Sequence, residues 1–94
     1  MPSLKVYGKP NCKWCGVAKE YLDEYQYSYQ YIDLSEKKNR KARKLMSDLD
    51  MKYLPVFIYG DNVKSFSTKS EYMFKERLQE LLEEYGIKQN KEKG

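Results

Sequence analysis

A chain of 94 residues is long enough for one domain and too short for two. Its net charge of +4 favours anionic ligands or acidic partners, but so small an excess does not by itself indicate nucleic acid binding. No stretch approaches the roughly 20 apolar residues that cross a bilayer, and residues 1–5 lack the apolar run of a signal peptide. We therefore expect a soluble cytoplasmic domain, where two closely spaced cysteines are more often catalytic or metal-binding than structural.

The first half of the chain predicts a strand, a helix and a second strand. Residues 4–7 alternate in polarity and end at Gly8, which is typical of a strand. From Cys12 the spacing becomes helical, and one apolar face contains Ala18, Tyr21, Leu22 and Tyr25. Residues 27–33 alternate again, which places the tyrosines of this segment on one side of a strand.

The second half predicts a helix, two strands and a last helix. Ser35 is the expected N-cap of a helix with a basic first half and an apolar face made of Ala42, Leu45, Met46 and Leu49. The apolar run 56–59 predicts a strand buried on both faces, and a turn connects it to an antiparallel strand at 63–66. Thr68 and Glu71 match a capping box for the last helix, and Gly86 is its expected C-terminal cap.

The predicted order of elements is therefore β-α-β-α-β-β-α. The first strand–helix–strand unit should join parallel strands by a right-handed crossover, and the last two strands should form a hairpin. These features predict an α/β fold with a four-stranded mixed sheet and three helices on its two faces. Residues 1–86 would form the domain, and residues 87–94 a polar C-terminal tail.

Cys12 and Cys15 lie where a loop becomes the first helix, three residues and about one turn apart. This spacing lets the two thiols close a small disulfide and open it again. Unpaired N–H groups, the helix dipole and the nearby Lys9 and Lys13 favour a thiolate at Cys12. Because only a thiolate attacks a disulfide, Cys12 is the predicted nucleophile with a lowered pKa, and Cys15 is the predicted resolving thiol.

Two structural explanations of the cysteine pair are weaker. A disulfide that closes so short a loop removes little entropy from the unfolded chain. A zinc ion needs four ligands, and the chain has no histidine and no third cysteine, so only a site shared between chains would suffice. We therefore assign no metal site.

Pro55 precedes the third predicted strand, a position where proline is uncommon within a sheet. A cis Leu54–Pro55 bond would turn the Leu54 backbone toward the dithiol, where its N–H and C=O could pair with an extended thiol substrate. Pro55 itself would offer no competing donor there. A trans proline at the first residue of the strand is the simpler alternative.

Over residues 4–85 the chain resembles the glutaredoxin family. The resemblance depends on the segment 9–15, on Ala18-Lys19 and on Leu54-Pro55-Val56, with Cys12-Lys13-Trp14-Cys15 in place of the family's Cys-Pro-Tyr-Cys. It implies a thioredoxin-like fold, a cis proline, and a thiol–disulfide oxidoreductase that reduces protein or glutathione mixed disulfides. It also implies glutathione as the co-substrate.

The same resemblance implies a groove for glutathione. Lys9 would pair with the glycine carboxylate, Trp14 would form a wall of the groove, and the Leu54 backbone would pair with the cysteinyl unit. The helix start at Ser67 and Thr68 would bind the γ-glutamyl carboxylate through backbone N–H groups, an arrangement that suits an anion.

Two departures from the family pattern lead to an alternative function. Lys64-Ser65 stands where glutaredoxins usually carry paired glycines, and Ser67-Thr68 stands where an aspartate is common. The Lys-Pro-x-Cys opening also resembles glutaredoxin-like electron donors of ribonucleotide reductase, some of which are reduced by thioredoxin reductase. The chain would then donate electrons to ribonucleotide reductase and would be reduced by thioredoxin reductase instead of glutathione.

Two further functions stay open. A binding module would use the basic run 37–44 on nucleic acid or on an acidic partner, with the dithiol as a redox sensor. Nucleic acid is the less favoured partner, because the aromatic and basic groups lie on different elements. An iron–sulfur dimer would take Cys12 from each chain together with glutathione, but Cys15 competes for that sulfur. We expect a monomeric enzyme.

Overall fold

The computed structural model describes residues 3–89, and its elements follow the predicted order. They are β1 (Leu4–Gly8), α1 (Lys13–Glu24), β2 (Tyr29–Asp33), a 3₁₀ turn (Lys37–Asn39), α2 (Arg40–Asp48), β3 (Val56–Tyr59), β4 (Asn62–Ser65) and α3 (Glu71–Glu84). The predicted α/β fold with four strands and three helices is confirmed. Among the described residues, no helix has the length and apolar character needed to cross a bilayer.

The four strands form one mixed sheet in the order β2-β1-β3-β4. Strands β1 and β2 are parallel, with Val6 opposite Tyr31, as a crossover through α1 requires. Strand β3 runs antiparallel to β1, with Phe57 also opposite Val6, and β4 pairs with β3 as a hairpin. The C-terminal end of β1 therefore lies in the middle of the sheet, directly before the cysteine loop.

Alternation along the strands divides the interior into two cores of unequal size. The first core lies between the sheet and helices α1 and α3, and its buried members are Leu4, Val6, Val17, Ala18, Leu22, Phe57, Phe74, Leu78, Leu81 and Leu82. The second core lies on the opposite face, which α2 covers, and its buried members are Tyr7, Leu34, Met46 and Val56. We refer to these as the α1/α3 core and the α2 core.

Two predicted helix caps are wrong. Ser35 does not cap α2, because its N–H and hydroxyl both donate to Asp33 Oδ1, at 2.8 and 2.7 Å, and close a turn before the 3₁₀ segment. Helix α3 begins at Glu71, since the Ser70 hydroxyl accepts the N–H of Met73 at 3.2 Å and so provides the cap. The Thr68 hydroxyl instead donates to the Ser70 carbonyl at 3.0 Å.

Each of the three α-helices is followed, two positions after its last residue, by a residue with positive φ. These residues are Gln26 (61°), Asp50 (56°) and Gly86 (68°), and each donates its N–H to the carbonyl three residues earlier. The next residue donates to the carbonyl five residues before it, which completes a Schellman motif. The predicted cap at Gly86 is confirmed. The second strand begins at Tyr29 and not at residue 27, because the N–H of Tyr27 is used to close α1.

The predicted boundary at residue 86 falls at this last motif. Of the predicted polar tail, Ile87 packs against the α1/α3 core, and its N–H donates to the Leu82 carbonyl at 2.9 Å. Residues 90–94 lie outside the described part of the chain.

Candidate redox site

Cys12 is the last residue of the loop after β1 and the N-cap of α1. Its extended backbone, with φ −107° and ψ 114°, turns its side chain back over the first helical turn. The N–H of Cys15 donates to Cys12 Sγ at 3.1 Å, and the N–H of Gly16 donates to the Cys12 carbonyl at 3.2 Å. The Cys12 sulfur therefore occupies the position where a helix N-terminus accepts negative charge.

The two cysteines form a disulfide, and their Cα atoms are 5.2 Å apart. Their exposures differ sharply: Cys12 is half-buried, whereas Cys15 is only 1% exposed. An incoming sulfur can therefore reach Cys12 from solvent, while Cys15 is covered by the fold. This asymmetry agrees with the predicted order of attack but does not test it.

The charges next to Cys12 along the chain are positive, whereas the cavity that contains Cys12 is lined by the Asp33 carboxylate as well as by Lys9 and Lys19. The first turn of α1 contains no acidic residue, and exposed Lys9 and Lys13 flank the sulfur in sequence. The Lys13 ammonium lies 4.9 Å from the centre of the Trp14 ring, which holds this cation near the start of the helix. These cations add to the partial positive charge of the helix N-terminus and favour a thiolate when the disulfide is open.

The Leu54–Pro55 segment lies against the disulfide. The Leu54–Pro55 bond is cis, as predicted, and the Leu54 carbonyl oxygen is 3.9 Å from Cys12 Sγ. Pro55 is buried and Leu54 is half-buried. The start of β3 thus brings a backbone carbonyl next to the reactive sulfur, at the place where an extended substrate would run.

Gly8 provides the space for Cys15, a role that the sequence analysis missed. A Cβ atom at Gly8 would lie 2.6 Å from Cys15 Sγ and would also collide with the Tyr31 hydroxyl. That hydroxyl donates weakly to the Lys9 carbonyl at 3.5 Å. Burial, together with the nearby Asp33 carboxylate, raises the pKa of Tyr31, so this group stays protonated beside the disulfide. In the sequence, Gly8 indicates only the end of a strand.

The family model described as Glutaredoxin matches residues 4–64 of the chain. The chain belongs to the glutaredoxin family. It is therefore a glutaredoxin-like thiol–disulfide oxidoreductase with a redox-active Cys12–Cys15 pair. A search of curated protein sequences gives no match.

Solved structures of similar fold include a thioredoxin-like protein, a glutaredoxin-like protein and a glutaredoxin. The thioredoxin-like protein BC3987 is 30% identical, over 85% of this chain and 100% of its own, with a TM-score of 0.64. NrdH-redoxin from Escherichia coli, a glutaredoxin-like protein with a thioredoxin-like activity profile, is 21% identical, over 81% and 93%, with a TM-score of 0.60. Buckwheat glutaredoxin, crystallised with glutathione, is 24% identical, over 92% and 81%, with a TM-score of 0.61.

Lys9 lines two neighbouring cavities of this glutaredoxin beside the active site. With Cys12, Lys19 and Tyr31, it lines a cavity of about 210 Å³, and with Leu54 it lines a second one of about 430 Å³. The predicted residues Lys9, Cys12 and Leu54 are therefore brought together. Trp14, the third residue of the motif, stacks on Phe74 of α3, with ring centres 5.0 Å apart and planes at 15°.

Ser67 and Thr68 are placed differently from the prediction. Both precede α3, whose first turn carries Glu71 in an ion pair of 3.2 Å with Lys75. Ser67 lines a separate cavity of about 280 Å³ between β4 and α3. The predicted anion site at a helix start therefore lies in a loop instead, because the N-cap of α3 is Ser70 and not Thr68.

Proposed function

We propose that this glutaredoxin reduces protein disulfides and glutathione mixed disulfides, and that glutathione returns it to the dithiol form. One observation carries the exchange chemistry. Cys12 is accessible at a helix N-terminus beside the Leu54 carbonyl, while Cys15 is buried one turn below it. That arrangement offers one sulfur to the substrate and keeps the other for the second step.

The reaction then has two displacements. The Cys12 thiolate attacks one sulfur of the substrate disulfide, a Cys12–substrate bond forms, and the other substrate sulfur leaves and takes a proton. Cys15 then loses its proton and attacks Cys12 Sγ. The internal disulfide forms, and the second substrate thiol is released. Two electrons pass from the dithiol to the substrate, and two molecules of glutathione restore them.

The proposed glutathione groove runs along the same residues. The Lys9 ammonium is available to the glycine carboxylate, and the Leu54 backbone, ahead of the buried Pro55, is available to the cysteinyl unit. Trp14, which stacks on Phe74 of α3, would form the wall of the groove on that side. Ser67 and Thr68 would hold the γ-glutamyl end through loop N–H groups, a weaker site than a helix N-terminus.

A second candidate replaces glutathione by thioredoxin reductase, with ribonucleotide reductase as the target. Three observations favour it. The first two are the likeness to NrdH-redoxin, of which the chain covers 93%, and Lys64-Ser65 in place of the family's paired glycines. The carboxylate of Glu71 in the first turn of α3 also opposes a second anion there.

One assay separates the two reductants. Turnover of a small mixed disulfide is measured with glutathione and glutathione reductase, and in parallel with thioredoxin reductase alone. Under the glutathione proposal, Lys9→Ala raises the KM for glutathione about tenfold, the effect expected when a charge-assisted contact is lost. Lys5→Ala, at an exposed lysine near the opposite end of β1, is the control. Turnover with thioredoxin reductase alone would replace glutathione by the second candidate.

The roles of the cysteines are tested with serine variants. Cys12→Ser should abolish all exchange, because the only other cysteine, Cys15, is too deeply buried for the first attack. Cys15→Ser should accumulate the Cys12–substrate mixed disulfide, detectable by mass. A trapped adduct on Cys15 in the Cys12→Ser protein would reverse the assignment.

A further inference from the structure

The positive charge of this glutaredoxin is concentrated in one layer. The segment 37–52, which spans the 3₁₀ turn, α2 and the following loop, has seven basic residues and two acidic ones. Its net charge of +5 exceeds the +4 of the whole chain, so the remainder is slightly negative. Only two of these cations form ion pairs among the described residues: Lys38 with Glu36 and Lys44 with Asp48, both on the surface.

The cavity of about 430 Å³ lies at the active-site end of this layer. Three cations line it, Lys9, Arg43 and Lys52, and no carboxylate does. Its apolar walls include the buried Met46 and the half-buried Met51, and the flexible Met51 side chain adapts to different partners. We call this cavity the α2 cleft. It combines attraction for negative charge with surface that binds apolar side chains.

The α2 cleft is continuous with the redox site. Lys9 lines both the cleft and the cavity that contains Cys12. Leu54 also lines the cleft, and its carbonyl lies 3.9 Å from Cys12 Sγ. A chain bonded to Cys12 during exchange would therefore reach the cleft within a few residues.

Other apolar side chains of α2 and of the loop that follows it are exposed. Leu45 and Leu49 are 38% and 40% exposed, and Tyr53, next to Lys52, is 55% exposed. Exposed apolar groups bordered by cations are typical of surfaces that bind another protein.

We propose that the α2 cleft binds an acidic segment, with interspersed apolar residues, that flanks the target disulfide in a protein substrate. This inference rests on the proposed exchange function and names the class of substrate. The cations of the cleft favour a segment with acidic residues. Because the cleft is continuous with Cys12, we infer that this segment belongs to the protein that carries the disulfide. Nucleic acid, the other polyanion, has no group that exchanges with Cys12.

The test uses two peptides with the same disulfide, one flanked by Asp-Leu-Glu and the other by Asn-Leu-Gln. The protein is reduced in advance and freed of reductant, so the result does not depend on its natural reductant. The single tryptophan, Trp14, lies within the redox motif and reports oxidation by fluorescence. The acidic peptide should react about tenfold faster at low ionic strength, and this advantage should largely disappear at about 0.5 M salt.

A matched pair of variants locates the effect. Arg43→Glu with Lys52→Glu reverses two cations of the cleft, whereas Lys75→Glu with Arg77→Glu makes the same charge change on α3. The first pair should reduce the acidic-to-neutral rate ratio from about ten to about one, and the second should leave it within about twofold of wild type. An equal loss of the acidic-to-neutral rate ratio in both double variants would show general electrostatic steering by the whole protein and would overturn the proposal that the α2 cleft binds the acidic segment.

A binding measurement separates failure of the inference from failure of the proposed function. A fluorescent acidic peptide with serine in place of cysteine should bind the oxidised protein, and the cleft variant should lose this binding. Reduction of both disulfide peptides at equal rates, without binding, would overturn the inference and leave the exchange function intact. Binding without reduction would overturn the exchange function and support the surface. Competition by a single-stranded oligonucleotide, with equal reduction rates, would assign the cleft to nucleic acid instead.

Discussion

The two faces of the sheet differ in how completely the helices that cover them bury their apolar side chains. On the α1/α3 face, Phe57, Phe74, Leu78 and Leu82 are fully buried, and the rings of Trp14, Phe74, Phe66 and Phe57 contact one another in series at 5.0 to 5.7 Å. On the other face, Met46 is the one buried residue of α2. The leucines of α2 and its C-cap, at positions 45 and 49, stay more than a third exposed.

This difference separates the part that stabilises the fold from the part that is available to a partner. Burial of apolar area provides most of the free energy of folding, so the α1/α3 core should dominate stability. Cys15, the buried cysteine, belongs to α1, which contributes Val17, Ala18 and Leu22 to that core. The Leu54 carbonyl and Lys9, which border Cys12, lie at the α2 cleft. The redox site thus combines a rigid side, which holds one sulfur, with an open side, where a substrate can lie.

The largest expected effect comes from truncating one side chain in each core. Leu78→Ala, at a fully buried position of α3, should lower the free energy of unfolding by about 3–4 kcal/mol. Met46→Ala should lower it by about 2 kcal/mol, because α2 has few neighbours and can move to fill the space. Urea unfolding measures both values.

Hydrogen exchange gives the control for this pair. Amides of α2 should exchange through local opening, while those of α1 and α3 should exchange only with global unfolding. A larger loss of stability for Met46→Ala than for Leu78→Ala, or equal protection of α2 and α3, would contradict the distinction between the two cores.

Gly8→Ala tests how tightly the rigid side packs around Cys15. The new Cβ would lie 2.6 Å from Cys15 Sγ and would also meet the Tyr31 hydroxyl, so the site must shift at a cost of about 1–3 kcal/mol in the free energy of unfolding. Thermal unfolding of the oxidised protein measures it.

Gly16→Ala is the matched control for Gly8→Ala. A Cβ at Gly16 meets nothing within 4 Å, and alanine favours the helix, so this variant should gain up to about 1 kcal/mol. Equal effects of the two substitutions would mean that the Cys15 site has room to spare.

The alternation and spacing of apolar residues predicted the strands and helices because each element must turn its apolar side chains toward the core. The apolar run 56–59 is a strand because β3 lies between neighbours in the sheet, with Val56 and Phe57 fully buried on opposite faces. The cysteine pair was recognised because two cysteines three residues apart at a helix start form a local and specific motif. Pro55 was connected with it by its place before a strand and by the resemblance to the glutaredoxins. The thioredoxin-like order of elements followed from the same signals.

The capping errors show where local patterns are insufficient. Thr68 and Ser70 are both suitable caps by residue type, but the Thr68 hydroxyl donates to the Ser70 carbonyl, and only the Ser70 hydroxyl accepts an N–H of the first helical turn. The contact of Gly8 with Cys15 and Tyr31 joins three elements, and the cleft of Lys9, Arg43 and Lys52 joins distant segments. No spacing in the sequence reports such convergence.

A smaller effect is expected at the ends of α1 and α2. Gln26 adopts a left-handed conformation that glycine tolerates better, so Gln26→Gly should raise the free energy of unfolding by about 0.5–1 kcal/mol. Asp50→Gly should gain less, because aspartate tolerates this conformation better than glutamine does. Chemical denaturation measures the gain of the Gln26→Gly protein, because α1 belongs to the α1/α3 core and should unfold only with the whole domain.

The gain at Asp50 should be visible chiefly as slower local exchange of α2 amides. Gly86, already glycine at the end of α3, defines the geometry that both variants should reach. A loss of stability in the Gln26→Gly protein, or faster exchange of α2 in the Asp50→Gly protein, would mean that these side chains stabilise their helix ends.

The smallest effect is a pH-dependent one in the turn that leads into α2. The Ser35 hydroxyl and then its N–H donate to Asp33 and hold the pKa of that carboxyl below its ordinary value of 3.8. A carboxyl with a lowered pKa in the folded state stabilises the protein above the ordinary pKa, and the contribution disappears as the pH falls through the folded value. Ser35→Ala should therefore raise the pKa of Asp33 and destabilise the protein slightly at neutral pH, and the difference should vanish once the pH falls below the lowered pKa.

Carboxyl NMR titration and urea unfolding, at neutral pH and at a pH below the lowered pKa of Asp33, measure this effect. Ser47→Ala, at an exposed serine of α2, is the control. Because the bonds between Ser35 and Asp33 lie at the surface, the change should be confined to this turn and to α2. A loss of stability that persists unchanged at low pH, or that extends to α3 in hydrogen exchange, would show that the turn supports the α1/α3 core as well.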